Sequence, residues 1–488
     1  MNDFSKGHYG DDAPIAAFAT TPGSGALTLI RCSGKGSLEA ASLIFVPSGI
    51  KNAVSLKDAA GNTIIHGWIV SADEKIDEVL VSVFRSPKSF TGEDSLDICC
   101  HGGNSASAAV MNVLKNTGFR GALPGEFTFR AFMNGKLDLT RCESVMELVS
   151  ARTDTARRHA VSRLSGVLEK EIGEIKKQLV QVLAGAEIFL DYSEDEVSAD
   201  ADEIAGRLPG LDIAHNVLSR LKKLSDSWQL ERIYQEGVSI VIAGCPNAGK
   251  SSLFNALLKE DRSIVTEVPG TTRDWIEAFV SIEGIPVRLI DTAGLRDADE
   301  TVEKIGIQKS RKIMEEADII LYLIDGEHGL TEEDKKYLQE YGKPGACNQA
   351  NGSDFSSCLF VWNKQDINPP PHPFPLADIN PISICAKNSE GFTELFKAVN
   401  SIISKQAQGF SSHDEPSCAS LGTARQKKLV DAACIALEEA IALENKEEPL
   451  DVIAPLLRDA VNSLGEITGE VSTADILEEM FSRFCVGK

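Results

Sequence analysis

The 488-residue sequence contains no apolar run approaching the roughly 18 residues that a membrane-spanning helix needs, and no membrane partner is expected. Its first 13 residues carry Asp3, Asp11 and Asp12 but no apolar segment, unlike a secretory or transit peptide, so a cytoplasmic location is expected. Paired cysteines are missing too. The 11 cysteines are odd in number, scattered and without a C-x-x-C pair, a pattern of free thiols in a reducing compartment. Cys99-Cys100-His101 does not supply a metal site, because neighbours on a strand point to opposite faces. Positive charge is scarce: 49 Lys and Arg against 72 Asp and Glu leave a net charge of −23. That excludes binding of nucleic acid over a broad surface but leaves room for a local basic patch. What remains is an ordinary soluble composition, 43% hydrophobic and 25% charged, on a chain long enough for about three domains.

The stretch Gly244-Cys245-Pro246-Asn247-Ala248-Gly249-Lys250-Ser251-Ser252 fits G-x-x-x-x-G-K-[ST], the phosphate-cradling loop. The apolar run Val238–Ala243 precedes it and the amphipathic Leu253–Leu258 follows, giving strand, glycine-rich turn and helix in the order the motif requires. Glycines let backbone N–H groups turn toward a phosphate, and the helix N-terminus adds a favourable dipole. Lys250 would reach the β- and γ-phosphates, and the Ser251 hydroxyl would ligate Mg²⁺. Asn247, Ala248, Gly249 and Ser252 complete the candidate contacts of this loop.

Three further signals follow, each behind an apolar run. Asp291-Thr292-Ala293-Gly294 ends Val287–Ile290 and puts a carboxylate beside Mg²⁺ and the γ-phosphate. Asn363-Lys364-Gln365-Asp366 follows Leu359–Trp362. A carboxylate at Asp366 accepts both the N1–H and the exocyclic amine of guanine, which adenine cannot offer, and a site built on such bonds rejects analogues strongly. Cys385-Ala386-Lys387, after Ile382–Ile384, stands where Ser-Ala-Lys is usual. Each short motif alone is weak; four in this order identify a GTPase domain of the Ras-like superfamily, an α/β P-loop fold.

From Pro14 to about Leu123, short apolar runs such as Leu27–Ile30, Ile64–Val70 and Val79–Phe84 alternate with turns, and a helix is expected over Ser105–Asn116. This is an α+β pattern. Residues 140–235 read as helical, with Ile172, Ile175, Leu179, Val182, Leu183 and Ala186 at helical spacing. Between Arg120 and Arg163 stand eight Arg or Lys against five Asp or Glu. They are either the chain's local candidate for phosphate contacts or helices laced with ion pairs. Glu187–Glu203 holds eight acids and no base, and cannot bind nucleic-acid phosphates. Gly342–Ser357 lacks periodicity and reads as a loop insertion, and Gln406–Ser417 as a linker. Helices are expected again over Ala419–Glu444 and Pro449–Leu464, with a last one from Ser472, boxed by Asp475, to Phe484.

Several stretches are more particular: Ser86-Pro87-Lys88-Ser89-Phe90-Thr91-Gly92-Glu93-Asp94, His101-Gly102-Gly103, Pro124-Gly125-Glu126-Phe127-Thr128 and Arg130–Leu139. With Gly270-Thr271-Thr272-Arg273-Asp274 and the terminal Phe484-Cys485-Val486-Gly487-Lys488, they closely resemble the MnmE (TrmE) family of tRNA-modification GTPases, from about residue 14 to residue 488. The resemblance implies an N-terminal folate-binding, dimerising domain (13–123), an all-α helical domain in two parts (124–236 and 406–488) and an inserted GTPase domain (237–405). It implies a homodimer that works with an MnmG-like, FAD-carrying flavoprotein, the two forming a heterotetramer. Together they add an aminomethyl or carboxymethylaminomethyl group to C5 of the wobble uridine of certain tRNAs. A 5-formyl- or methylene-tetrahydrofolate supplies the one-carbon unit, and Arg31, Asp97, Lys136 and Lys488 would contact it. Arg31 and Lys136 suit the carboxylates of a folate's glutamate tail, and an acid such as Asp97 suits the pterin's N–H donors. Position 97 is usually Glu in the family, one methylene longer. Cys485, near the C-terminus, is a candidate for a chemical role.

Leu295 follows Asp291–Gly294 where many small GTPases carry a water-orienting Gln, and Leu cannot hydrogen-bond a water. By resemblance Glu303 does this work. In the family an Asn at position 247, with main-chain groups of the loop Thr266–Thr271 (here Thr266, Val268 and Thr271), coordinates K⁺ beside the phosphates. A cation there neutralises developing charge as an arginine finger would. Taken alone, Asn247 reads equally as a turn residue after Pro246. Thr272 is the expected second protein ligand to Mg²⁺. A regulatory or assembly GTPase that meets folate or RNA only incidentally is the alternative. The Lys136 motif and the Cys485–Lys488 terminus, which a bare switch would not need, speak against it.

Overall fold

A computed structural model describes residues 9–21, 23, 25–48, 55–72, 74–191, 208, 210–259, 276–291, 313–314, 317–341, 357–374, 380–407, 419–471 and 474–487. The chain divides into two compact units: Met1–Met146 with Leu168–His215 and Ile435–Lys488, and Glu147–Val167 with Asn216–Cys434.

The first unit contains a seven-stranded sheet in the order β3-β4-β5-β6-β2-β1-β7. Its strands are β1 (Ile15–Phe18), β2 (Leu27–Ser33), β3 (Phe45–Pro47), β4 (Thr63–Ser71), β5 (Glu74–Phe84), β6 (Ser95–His101) and β7 (Arg120–Gly121). Every pairing is antiparallel except the short β1–β7 contact. Alternation divides the sheet into two faces. On β6, Leu96, Ile98 and Cys100 are buried, packing with Ile30, Val81 and Val83 of the neighbouring strands and with Leu38, Val110 and Leu114 from the helices Ser37–Ser42 and Asn104–Asn116. Asp97 and Cys99 take the other face.

The helical part of this unit includes Glu126–Met133, Val167–Asp191, Leu450–Thr468 and Ala474–Ser482. Along Val167–Asp191, Ile172, Ile175, Leu179, Val182, Leu183 and Ala186 are all buried, the single apolar stripe of a helix packed on one side. The helix Leu450–Thr468 continues past Leu464, where a sequence reading ends it, to Gly469. Gly469 takes the left-handed conformation (φ 86°) that closes helices, and a Cβ there would come within 2.8 Å of the Phe132 ring. The last helix stops at Ser482 rather than Phe484. Phe484 instead joins a cluster with Phe129 and Phe481, and Cys485 O accepts from Gly125 N.

The second unit is built on a six-stranded sheet in the order β13-β12-β11-β8-β10-β9. Its strands are β8 (Val238–Gly244), β9 (Ile276–Ile282), β10 (Ile285–Asp291), β11 (Ile319–Asp325), β12 (Ser357–Asn363) and β13 (Ile382–Ser383). All pairings are parallel except β9–β10. β11 is buried along its whole length and β8 over all but its last residue. Such continuously apolar strands belong to a parallel sheet covered on both faces. One face packs with Leu253, Phe254 and Leu257 of the helix Lys250–Lys259 and Leu395, Val399 and Ile403 of Phe392–Ala407. The other packs with Leu338 of Glu332–Tyr341. Among the described residues no helix is long and apolar enough to cross a membrane.

Candidate functional site

Four parallel strands of the second unit end in polar groups: Gly244 on β8, Asp291 on β10, Asp325 on β11 and Asn363 on β12. β8 lies between β10 and β11, so the chain leaves it first to one side and later returns on the other. At such a switch point open α/β sheets bind ligands, outside the carboxyl ends of the strands. The loop from β8 into the helix Lys250–Lys259 has positive φ at Asn247 (64°) and Gly249 (91°), the backbone signature of an anion nest. Gly249 has no substitute, because a Cβ would lie 2.3 Å from Asn363 Nδ2.

Asn363 ties three of the sequence motifs together. Buried at the end of β12, its Nδ2 donates to Ala248 O (2.8 Å) and its Oδ1 accepts from Ala386 N (3.0 Å). It therefore fixes the phosphate loop against the Cys385-Ala386-Lys387 segment. Lys250 Nζ donates to Gly244 O (3.0 Å) and Cys245 O (2.9 Å). Ser251 Oγ donates to Asp291 Oδ2 at 2.9 Å. A hydroxyl and a carboxylate this close offer a hard divalent cation two oxygen donors, which fits Mg²⁺. Asp366 is exposed and its carboxylate has no partner among the described residues, so it is open to a ligand's donors. Ser252 and Lys387 are likewise exposed. Thr266, Val268, Thr271, Thr272, Thr292, Ala293, Gly294 and Glu303 lie outside the described residues, as do Lys488 and nearly all of the Gly342–Ser357 insertion and the Gln406–Ser417 linker.

The motifs do not reveal what holds Lys364. Its backbone is left-handed (φ 60°), and its Nζ donates to Asp325 Oδ2 and Glu327 Oε2, both at 2.9 Å. Burial opposes ionisation of Asp325, but the hydrogen bonds from Lys364 and His328 outweigh it and hold the carboxyl below its usual range. The only sequence signal for Asp325 is that it closes an otherwise wholly apolar run.

In the first unit, Arg31 on β2 stands directly opposite Asp97 on β6, with Arg31 Nε 3.3 Å from Asp97 Oδ1. The Arg31 guanidinium lies 5.9 Å from the ring centre of Phe90, a half-exposed aromatic on the β5–β6 connection. Lys136 Nζ donates to Pro87 O on the same connection (2.9 Å). That connection is pinned from below: Ser33 Oγ donates to Glu93 Oε2 (2.8 Å), and Arg130 Nη1 reaches the same carboxylate (3.1 Å). The C-terminal chain returns to this end of the sheet. Val486 bridges Pro124, and a Cβ on Gly487 would lie 2.5 Å from Phe18 O, next to the Ala17–Arg31 pair of β1 and β2. Cys485 is an exposed free thiol.

The basic stretch Arg120–Arg163 resolves toward ion pairs. Arg120 and Arg130 share the buried Glu126, and the fully buried Arg163 lies between Glu147 (2.7 Å) and Glu231 (2.8 Å). Arg157 and Arg158 both bind Asp154, and Arg152 stacks 3.5 Å over the Phe279 ring. Arg120, Arg130 and Arg163 are thus committed to carboxylates and are not free to meet phosphates. The physical reason is burial: a buried guanidinium is retained only with matched acceptors.

The family models called MnmE helical domain and GTP-binding protein TrmE N-terminus match residues 139–485 and 14–136 respectively. The tRNA modification GTPase MnmE of Treponema denticola is 41% identical to this chain, covering 99% of each. The protein of the same name from Borreliella afzelii is 39% identical over 98% of each chain. That from Carboxydothermus hydrogenoformans is 38% identical over 97% of this chain and 99% of its own. Among solved structures, Era in complex with MgGDPNP and nucleotides of 16S ribosomal RNA covers 34% of this chain and 56% of that one at 26% identity. Its TM-score of 0.26 is too low to bear on the fold. Motifs, sheet topology and full-length similarity therefore agree, and the chain belongs to the MnmE family of tRNA modification GTPases.

Proposed function

We propose that this chain couples GTP hydrolysis to the addition of an aminomethyl or carboxymethylaminomethyl group at C5 of the wobble uridine of certain tRNAs. It does so as a homodimer, with an MnmG-like flavoprotein and a tetrahydrofolate one-carbon unit. GTP hydrolysis, Mg²⁺ and a part in tRNA modification come with the family; the folate, K⁺, the partner and the dimer are the finer reading. The observation that carries it is the gathering of Arg31, Asp97, Phe90 and Lys136 around the β5–β6 connection, with the C-terminal Gly487 docked on the adjoining strand pair. Two cations, one acid and an exposed ring suit a ligand with glutamate carboxylates, pterin donors and a flat heterocycle. Lys488 would add a third cation, and the exposed Cys485 thiol, three residues earlier in the sequence, is available for chemistry.

On this reading residues 13–123 form the folate-binding and dimerising domain, 237–405 the GTPase domain, and 124–236 with 406–488 the helical domain. The open face of the seven-stranded sheet supports pairing of two copies. Ile64, Leu27 and Leu80 project from the same face as Asp97 and Arg31 and are 70%, 61% and 47% exposed, apolar area that a second copy would cover. In the GTPase domain, Ser251 and Thr272 hold Mg²⁺, Lys250 holds the phosphates, and Asp366 selects guanine. Glu303 positions the attacking water. Asn247 is exposed and its side chain has no hydrogen-bond partner among the described residues, so its amide oxygen is available to K⁺ together with carbonyls of Thr266, Val268 and Thr271.

Mass spectrometry of tRNA nucleosides from cells lacking this protein tests the reading. The modified wobble uridine should disappear. An unchanged nucleoside profile would instead favour a regulatory or assembly GTPase.

A further inference from the structure

The helix Glu332–Tyr341 is capped by a box in which Asp334 Oδ2 accepts from Thr331 N (2.9 Å) and Thr331 Oγ1 (2.7 Å), while Thr331 Oγ1 accepts from Asp334 N (3.1 Å). A capping carboxylate of this kind normally faces solvent. Here it is 1% exposed, and its second oxygen accepts from Tyr322 Oη of β11 (2.9 Å) and from Cys245 Sγ of the phosphate loop (3.2 Å). All four donors are neutral. Burial pushes both the Tyr322 hydroxyl and the Cys245 thiol up from their usual values, so both keep their protons and go on donating.

Cys245 is therefore held on both sides: Lys250 Nζ (2.9 Å) and Ala248 N (3.3 Å) donate to its carbonyl oxygen, and its thiol donates to Asp334 (3.2 Å), with Thr331 Oγ1 at 3.5 Å and Glu333 Oε2 at 3.7 Å beside it. A lysine that turns to the β- and γ-phosphates gives up its hold. The thiol contact is then the side-chain hold that remains, beside Ala248 N on the carbonyl, to keep the start of the loop in place while the triphosphate is bound. We infer that Asp334 is a positioning residue for GTP, acting on the phosphate loop through the Cys245 thiol. The inference rests on Gly244–Ser251 being the GTP loop.

GTP affinity and turnover of the full-length chain are to be measured for Cys245→Ala, Cys245→Ser, Asp334→Asn and the double variant Cys245→Ala/Asp334→Asn. Serine donates the same bond and alanine donates none. A bond to a charged acceptor sets the scale: Cys245→Ala and Asp334→Asn should each weaken GTP binding about tenfold, and Cys245→Ser should recover it to within about twofold. The double variant should bind no more weakly than Asp334→Asn, because the two residues are the ends of one contact. Wild-type affinity in Cys245→Ala, equal losses in the alanine and serine variants, or losses that multiply in the double variant would each overturn the inference. Where Asp334→Asn fails to fold, having also lost its cap and Tyr322, the alanine–serine pair decides alone. Lys250→Ala is the control for the underlying reading: normal GTP binding in that variant removes the loop from the GTP site and this inference with it, whereas a loss there with an inert Cys245→Ala removes only the inference.

Discussion

The two sheets carry their chemistry in different places. In the six-stranded parallel sheet the strands are covered on both faces, and the polar groups leave from strand ends: Gly244, Asp291 and Asn363. In the largely antiparallel sheet, Arg31 and Asp97 stand mid-strand, opposite each other on an open face. Parallel crossovers lay helices on both faces, so a ligand meets such a sheet at the carboxyl ends of its strands, through a few consecutive residues of loop backbone. An antiparallel sheet leaves a face free, and a site can be assembled from residues related only by register. The first kind of site is oriented backbone aimed at charge; the second is side-chain pairing on a surface. Substitutions at the first should strike GTP binding or turnover, and substitutions at the second should strike folate affinity and stability.

The largest effect should come from the GTPase unit. Glu303→Ala is expected to lower GTP turnover about 10²–10³-fold, the cost of losing one oriented stabiliser, while nucleotide affinity should hold, since on the proposed reading Glu303 acts on the water and not on the bound nucleotide. GTP turnover in KCl should exceed that in NaCl at matched ionic strength, and Asn247→Ala should abolish the difference. A fully active Glu303→Ala would remove the carboxylate from the mechanism, and equal rates in the two salts would remove K⁺.

Next in size is Arg130→Met in the other unit. Arg130 is 6% exposed and pairs with Glu126, itself wholly buried, and with Glu93. Removing one member of a buried ion pair strands the others, at about 3 kcal/mol. Chemical denaturation should show that loss. Folate affinity should fall as well, because Glu93 anchors the connection carrying Pro87 and Phe90, whereas GTP affinity should stay as in wild type. Loss of GTP binding to the same degree would break the distinction between the units. Arg31→Ala should act more mildly, weakening formyl-tetrahydrofolate binding about tenfold by calorimetry, as expected for one charge-assisted contact on a partly exposed face. Unchanged affinity in both Arg31→Ala and Lys136→Ala would exclude the face as a folate site.

The same contrast explains what was legible in the sequence. Gly244–Ser252, Asp291, Asn363–Asp366 and Cys385–Lys387 are contiguous because each is one loop at one strand end, so spacing alone exposes them. That Cys99 and Cys100 point to opposite faces of β6 was readable for the same local reason. The partners of Lys364 were not, because Asp325 and Glu327 come 39 and 37 residues earlier and belong to no motif. Arg31 and Asp97, 66 residues apart, were found by resemblance to the family; no spacing rule joins them. The charges between Arg120 and Arg163 were ambiguous because composition counts them without saying which are buried. Glu147 and Glu231 lie 16 and 68 residues from Arg163, and only folding brings them to it.

The smallest expected effect falls on Asp97, where the resemblance to the family implies a longer Glu. Asp97 reaches Arg31 Nε at 3.3 Å from a mid-strand position, both side chains being about a quarter exposed. Glutamate would carry the same charge one methylene farther from β6, toward whatever lies over the open face and across the rim of the Arg31 guanidinium. A partly exposed pair is weakly coupled and solvent-screened, so the added length should cost little folding stability. If Asp97 faces the pterin donors, Asp97→Glu should change formyl-tetrahydrofolate affinity by no more than about threefold, whereas Asp97→Ala should lower it about tenfold by deleting the acceptor. Calorimetry on the two variants separates the roles. Equal losses in both would mean that the carboxylate's position is as critical as its charge. No loss in Asp97→Ala would mean that Asp97 only orients Arg31, leaving the cations to bind the ligand alone.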